Sequence, residues 1–131
     1  MNGVLRAFFE ELLALGVSFN DRAPVDPLAR DAAGDMPLHY AAYWGRLDEV
    51  RALIAANAPV NAAGENGYTP LHYAIERDHA DVVAQLIASG ADSSICDALG
   101  RSARAFAVEI GNADVWTALA GDPACALTRM S

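Results

Sequence analysis

The chain contains no lysine, little cysteine and no long apolar run. All nine of its basic residues are arginines, and 17 aspartates and glutamates leave a formal net charge of -8. This charge disfavours a nucleic-acid backbone as a partner and favours a basic protein surface. Arginine also pairs with carboxylates through a forked geometry that lysine lacks.

The low cysteine content and the lack of a long apolar run indicate where in the cell the protein is located. Cys96 and Cys125 form no CxxC pair, so we expect both to be reduced thiols. No stretch has the apolar length of a membrane span. The apolar run near the start is broken by Glu10 and Glu11, which does not fit a signal peptide. The sequence therefore predicts a cytoplasmic protein that does not span a membrane. Its 131 residues are about the length of one domain.

A period of 33 residues organises most of the chain. A segment that recurs at a fixed period is a supersecondary unit that cannot bury its own apolar face alone, so the units are expected to stack. Four registers carry the period: Gly34, Gly67 and Gly100; Ala41, Ala74 and Ala107; Asp48, Asp81 and Asp114; and Leu53, Leu86 and Leu119.

Each unit is predicted to contain a turn, a short helix, a second turn and a second helix. The glycine permits a turn with positive φ. In the middle copy Thr69 supplies an N-cap hydroxyl and Pro70 a first helical residue that needs no N–H partner. Asp81 then opens the second helix at the positive end of the helix dipole. Apolar residues spaced by three and four give that helix one buried stripe, Val83, Leu86 and Ile87, which repeats Val50, Leu53 and Ile54.

At these residues the sequence resembles the ankyrin repeat. The middle copy is the fullest match, from Thr69-Pro70-Leu71-His72 to Gly90-Ala91-Asp92. The first copy has Met36 in place of the threonine, and the third lacks the proline and the histidine, as suits a terminal repeat. The resemblance implies an all-α solenoid of stacked helix-turn-helix units with hairpin-like turns.

The first helix resembles the second half of a unit whose first half is missing. Its Phe9, Leu12, Leu13 and Gly16 have the spacing of residues 83, 86, 87 and 90. We therefore expect one domain, 1–131, in six parts. These are an N-terminal half-repeat (4–20), an inserted loop (21–30), two repeats (31–63 and 64–96), a degenerate C-terminal repeat (97–121) and a tail (122–131).

His39 and His72 occupy the same position in successive repeats, which suggests at first a catalytic or metal-binding site. Such a site would need carboxylates or cysteines that converge on one point, whereas repeats place the rings side by side. No phosphate loop or nucleophile elbow accompanies them. The resemblance instead implies that each ring bonds the turn at its own helix start and locks adjacent repeats. We predict no enzyme, metal or cofactor, and a structural motif of Pro37, His39, Thr69, Pro70 and His72.

Residues beside the turn glycine and at the end of the first helix face the concave side in such repeats. Trp44 is the strongest clue among them, because aromatic residues dominate interface energies. The alternative is that Tyr43 or Trp44 folds back over the loop 21–30. Tyr40 and Tyr73 are expected to pack between helices. The predicted protein-binding residues are Asp35, Tyr43, Trp44, Glu65, Asn66, Tyr68, Glu76, Arg77 and Arg101.

These residues support a hypothesis of non-catalytic binding to another protein by a chain that is a monomer on its own. A sharper hypothesis, from size and charge, is an immunity or inhibitor protein that neutralises a basic toxin or enzyme. The alternative is a scaffolding or regulatory subunit of a larger complex. Fold alone does not identify the partner.

Overall fold

The computed structural model describes residues 3–17 and 28–119 of the chain. The tail 122–131 with Cys125, residues 18–20 of the half-repeat and most of the predicted loop (21–27) lie outside the described residues. The predicted all-α fold class is confirmed within the described part. Its helices are α1 (Gly3–Ala14), α2 (Pro37–Tyr43), α3 (Leu47–Ala55), α4 (Pro70–Glu76), α5 (Ala80–Ala88), α6 (Ala103–Ile110) and α7 (Ala113–Leu119).

The helices stack in two rows. The inner row is α2, α4 and α6, each packed on the next, and the outer row is α1, α3, α5 and α7. Inner and outer helices also pair within each unit, as α2 with α3, α4 with α5 and α6 with α7. One apolar core runs from Leu5 to Leu119 through the stack. Each unit therefore depends on its neighbours for burial, as in other solenoids.

The outer helices bury the predicted stripe. Val50, Leu53, Val83 and Leu86 are all 0% exposed, which confirms them as core residues, whereas the adjacent isoleucines are only partly buried against the core. Full burial of a side chain of this size contributes about 1.5–3 kcal/mol to stability. Because each stripe contacts both neighbouring units, the stripes hold the outer row together.

Helix α1 packs against α3 in the way that α3 packs against α5. Leu12 is fully buried, and its carbonyl accepts the Val17 N–H at 3.0 Å, as the Leu86 carbonyl accepts the Ala91 N–H at 2.9 Å. A forked ion pair adds to this contact, since Arg46 donates to both carboxylate oxygens of Glu11 at 2.9 and 2.7 Å. These contacts join α1 to the outer row, and the assignment of residues 4–20 as a half-repeat stays a prediction.

Three hairpin-like turns, 31–35, 64–68 and 97–101, project from the ends of the inner helices. In each turn the first N–H donates to the fifth carbonyl, at 2.9, 2.7 and 2.9 Å. The fourth residue is the periodic glycine, with φ of 94° at Gly34, 74° at Gly67 and 78° at Gly100. The positive φ that the sequence predicts for these glycines is confirmed, and it is a conformation that L side chains adopt with strain.

Two buried histidines join the inner helices α2 and α4 to chain segments that follow those helices. The Nδ1 atom of His39 accepts the Met36 N–H at 2.9 Å, and its Nε2–H donates to the Ala62 carbonyl at 2.9 Å. A carbonyl can only accept, so the proton lies on Nε2. His72 repeats the first contact, with the Thr69 N–H on Nδ1 at 3.1 Å, and its Nε2–H donates to a different register of the period, the Arg101 carbonyl, at 2.9 Å. We call these two side chains the histidine clamps.

Burial lowers the pKa of both clamp histidines. Desolvation of the ring is the main cause for His39 and for His72. Hydrogen bonds to carbonyls and the carboxylates of Asp35 and Asp97 oppose it, without reversing the direction. The folded state therefore favours neutral rings, which is the charge state that the clamp hydrogen bonds require.

The free energy of unfolding is expected to fall as the pH is lowered below about 6.5, the ordinary pKa of histidine. Because the pKa values of His39 and His72 are lowered in the folded state, the unfolded chain binds more protons in this range, and stability is lost as the pH drops. Urea unfolding between about pH 7.5 and 5, above the carboxylate range, measures this slope.

The double variant His39→Gln, His72→Gln is expected to be less stable at neutral pH and to show a flatter pH slope. The variant His79→Gln keeps both clamps and is the matched control. An unchanged slope in the double variant would show that the clamps do not cause the pH dependence.

Candidate functional site

A row of aromatic side chains follows the inner helices and the turns. Tyr40, Tyr73 and Phe106 share one register of the period. The Tyr68 ring bridges two of them, with its centroid 5.1 Å from that of Tyr73 and 5.5 Å from that of Phe106. The Tyr43 ring lies edge-on to Tyr73 at 5.8 Å. Tyr43, Tyr73, Tyr68 and Phe106 thus form a continuous aromatic row across the inner face, and the Tyr40 ring contacts Trp44 at 5.6 Å. We define the inner face as α2, α4, α6 and the three turns.

A pocket of about 290 Å³ opens on the inner face between α2 and α4. This inner pocket lies at the lower limit of the volumes typical of small-molecule sites, about 300–1,000 Å³. Its size suits a side chain of a partner better than a cofactor. It is lined by Asp35, His39, Tyr40, Tyr43, Trp44, Glu65 and Tyr73.

Hydrogen bonds to carboxylates hold the tyrosines of the pocket wall. The Tyr73 hydroxyl donates to Asp35 Oδ1 at 3.0 Å, and the Tyr40 hydroxyl donates to Asp31 Oδ2. Burial, followed by these carboxylates, raises the pKa of both phenols far above the ordinary value. Both tyrosines are therefore neutral hydrogen-bond donors at physiological pH.

The structure brings seven of the nine predicted binding residues into two clusters. Asp35, Tyr43, Trp44 and Glu65 line the inner pocket. A second hollow of about 250 Å³, which we call the turn-tip hollow, is lined by Asn66, Tyr68, Asp97, Ala98, Leu99 and Arg101. The other two, Glu76 and Arg77, are exposed at the end of α4.

Trp44 packs differently from the sequence hypothesis. Its ring is only partly exposed and contacts the rings of Phe8 on α1, at a centroid distance of 6.2 Å, and Tyr40, at 5.6 Å. Most of the loop that it was considered to cover lies outside the described residues. Trp44 thus joins α1 to the pocket wall, and the more accessible aromatic is Tyr43, which is 36% exposed.

Two further predicted binding residues are committed to internal contacts. Asp35 is only 7% exposed, and its Oδ1 accepts the Glu65 N–H at 2.9 Å as well as the Tyr73 hydroxyl. Arg101 pairs with Asp97 at 3.0 Å. Their side chains support the turns rather than present a free group, so neither belongs to the binding surface proposed below.

Sequence reasoning missed two members of the pocket wall. Tyr40 and Tyr73 were assigned to packing between helices, yet both also line the inner pocket. The available signal was the register itself, where the third copy has Phe106, because a hydroxyl gained at a packed position indicates a hydrogen-bond acceptor nearby. Leu99 is 77% exposed at the turn-tip hollow.

Among residues 3–17 and 28–119, no three His, Cys, Asp or Glu side chains converge closely enough to hold a metal ion. In the same part of the chain, no helix has the length and apolar character needed to cross a bilayer. His39 borders the inner pocket, but both of its ring nitrogens are engaged in the clamp.

Stacked helix pairs with a periodic turn, a clamped helix start and an aromatic inner face define an α-helical repeat protein. The family model described as ankyrin repeats (3 copies) matches residues 2–97. The chain therefore belongs to the ankyrin repeat family, whose members are generally non-catalytic protein–protein interaction modules. The match ends before the α6–α7 pair, which the structure nevertheless stacks on α4 and α5. A search of curated proteins found no match.

Replacement of Gly64 by alanine is expected to lower the free energy of unfolding by about 1–3 kcal/mol, as overpacking does in other cores. A Cβ at this position would lie 2.2 Å from Asp35 Oδ1 and 3.0 Å from His39 Nε2, so the buried carboxylate or the clamp must shift. Urea unfolding at neutral pH measures the change.

Gly3→Ala is the matched control, because a Cβ at Gly3 has no neighbour within 4 Å. Equal stability of the Gly64→Ala variant and the wild-type chain would mean that Asp35 can move without cost. That result would remove the argument that the pocket floor is rigid.

Proposed function

We propose that the chain is a recognition module that binds a partner protein through its inner face and turn tips. The observation that carries this proposal is the set of accessible side chains around the inner pocket and the turn-tip hollow. Tyr43, Glu65, Asn66, Glu76 and Arg77 are exposed. Aromatic residues and arginine are the types that most often dominate interface energies.

The site is held on rigid elements, which favours recognition. Helices α2 and α4 are held by the histidine clamps and by the Asp35 hydrogen bonds to Tyr73 and Glu65. A preformed surface loses little conformational entropy on binding. Trp44 and Tyr68 support the accessible residues through ring contacts with Phe8 and Phe106.

Within this function, we assign the chain the role of an immunity or inhibitor protein for a basic toxin or enzyme. The net charge of -8 supports this assignment, because opposite charges accelerate association. The protein is proposed to act as a monomer in the cytoplasm. The alternative role, a scaffolding or regulatory subunit, predicts that the partner keeps its activity in the complex.

The double variant Tyr43→Ala, Arg77→Ala is expected to bind a partner captured from the native source at least about tenfold more weakly, as loss of hot-spot residues does. The Arg77 guanidinium lies 5.0 Å from the Tyr43 ring centroid, so the pair presents one connected patch. Surface plasmon resonance with the purified partner measures the affinity.

The matched control is Arg6→Ala, which removes an exposed arginine from α1 in the outer row. The assignment to the inner face would be refuted if the double variant kept wild-type affinity while substitutions in the outer row abolished binding.

The association rate is expected to fall as salt is raised, because exposed charges are screened. Loss of partner activity at equimolar protein supports inhibition, and retained activity supports the scaffold.

A further inference from the structure

In the third copy, an arginine of the chain itself is bound on the inner face by neighbouring side chains. The Arg101 guanidinium lies 4.6 Å from the Phe106 ring centroid and pairs with the buried carboxylate of Asp97 at 3.0 Å. It also donates to the Tyr68 hydroxyl at 3.2 Å. An aromatic face and a carboxylate together satisfy both the cation–π and the forked hydrogen-bonding preferences of a guanidinium.

The first copy retains the frame of that site but replaces its arginine. Sixty-six residues earlier, Asp97 corresponds to Asp31 and Phe106 corresponds to Tyr40. The position of Arg101 is occupied by Asp35, so a carboxylate stands where the third copy has a cation. The first copy therefore keeps the ring and the carboxylate of the frame, but there Asp31 Oδ2 accepts the Tyr40 hydroxyl in place of a guanidinium. A cation in the inner pocket would thus face the rings and Glu65 rather than Asp31.

The inner pocket adds to these partners. Its wall includes the rings of Tyr43, Trp44 and Tyr73, and the exposed Glu65 stands beside them. Hydrogen bonds from the Tyr40 and Tyr73 hydroxyls to carboxylates keep the rings neutral. Four aromatic rings beside the exposed Glu65 carboxylate are surroundings in which a cation can be bound through ring faces.

Two arginines of the chain flank this region. Arg30 donates from Nη1 to the carbonyls of Gly34 at 2.7 Å and Ala63 at 2.8 Å. Arg77 lies 5.0 Å from the Tyr43 ring centroid and is not among the residues that line the pocket. The Arg77 contact shows that the Tyr43 face accepts a guanidinium in this fold.

We propose that the inner pocket receives a basic side chain of the bound partner, arginine in preference to lysine. This inference rests on the proposed function and names the chemistry that the inner face recognises. The partner's guanidinium would face the aromatic rings of the pocket, as Arg101 faces the Phe106 ring in the third copy. The pocket volume of about 290 Å³ suits one such side chain, and the net charge of -8 favours its approach.

The test uses the full chain and three blocked tripeptides with arginine, lysine or citrulline between two glycines. Citrulline keeps the shape of arginine without its charge. Trp44 borders the pocket, whereas Trp116 lines a separate hollow between α6 and α7. Their indole N–H signals in nuclear magnetic resonance spectra therefore give a reporter and an internal reference.

The arginine peptide is expected to shift the Trp44 signal saturably, with a dissociation constant on the order of millimolar, while the Trp116 signal stays in place. The lysine peptide should bind more weakly, and the citrulline peptide should show no saturable shift. Glu65→Gln should weaken arginine binding by about threefold, as loss of one favourable charge contact does at an exposed site.

Glu10→Gln on α1 is the matched control, since it removes one exposed carboxylate far from the inner face. Equal binding of the citrulline and arginine peptides, or no saturable shift with any peptide, would overturn the inference. If that occurs while Tyr43→Ala, Arg77→Ala still weakens partner binding, the proposed function stands and only the basic side chain is wrong. If the arginine peptide shows no specific binding and the Tyr43→Ala, Arg77→Ala variant also keeps wild-type partner affinity, the proposed function is refuted as well.

Discussion

The histidine clamp is the interaction on which the rest of this structure depends. A helix pair of seven to nine residues per helix is too short to be stable in isolation. His39 and His72 use one ring nitrogen to satisfy an orphan N–H at the helix start and the other to reach a carbonyl of the following segment. One side chain thereby caps a helix and sets the distance to the next unit. The turns that carry the inner face are positioned by this spacing.

The clamp leaves neighbouring positions free to vary, and the variation creates the site. Turn residues 31, 64 and 97 are Asp, Gly and Asp. In the third copy Asp97 holds its own Arg101. In the middle copy the absence of a side chain at Gly64 leaves room for the carboxylate of Asp35, which bonds the Glu65 N–H and the Tyr73 hydroxyl. The base of the inner pocket is therefore formed by Asp35 of the first repeat together with Gly64 and Tyr73 of the second.

Much of the fold could be predicted from the sequence, but less of the site. The period predicted the positive-φ glycines and the buried stripe, because both depend on spacing within a unit. Trp44 was singled out as an unusual residue, and its ring packs on Phe8, which lies 36 residues earlier on α1. Asp35 was expected at a partner interface and is instead buried beneath Tyr73. No local pattern indicates which neighbouring unit receives such a side chain.

The sequence by itself determined the repeat length, the all-α class, the turn conformations and the helical stripes. These features follow from residue types at short separations, where backbone φ values, capping and the helical period act directly. Only the tertiary structure decided that Asp35 is internal, that Tyr40 and Tyr73 line a pocket, and that Trp44 supports that pocket. The physical reason is that these outcomes depend on contacts between residues 36 to 38 positions apart, Trp44 with Phe8 and Tyr73 with Asp35. Their formation depends on how adjacent units stack.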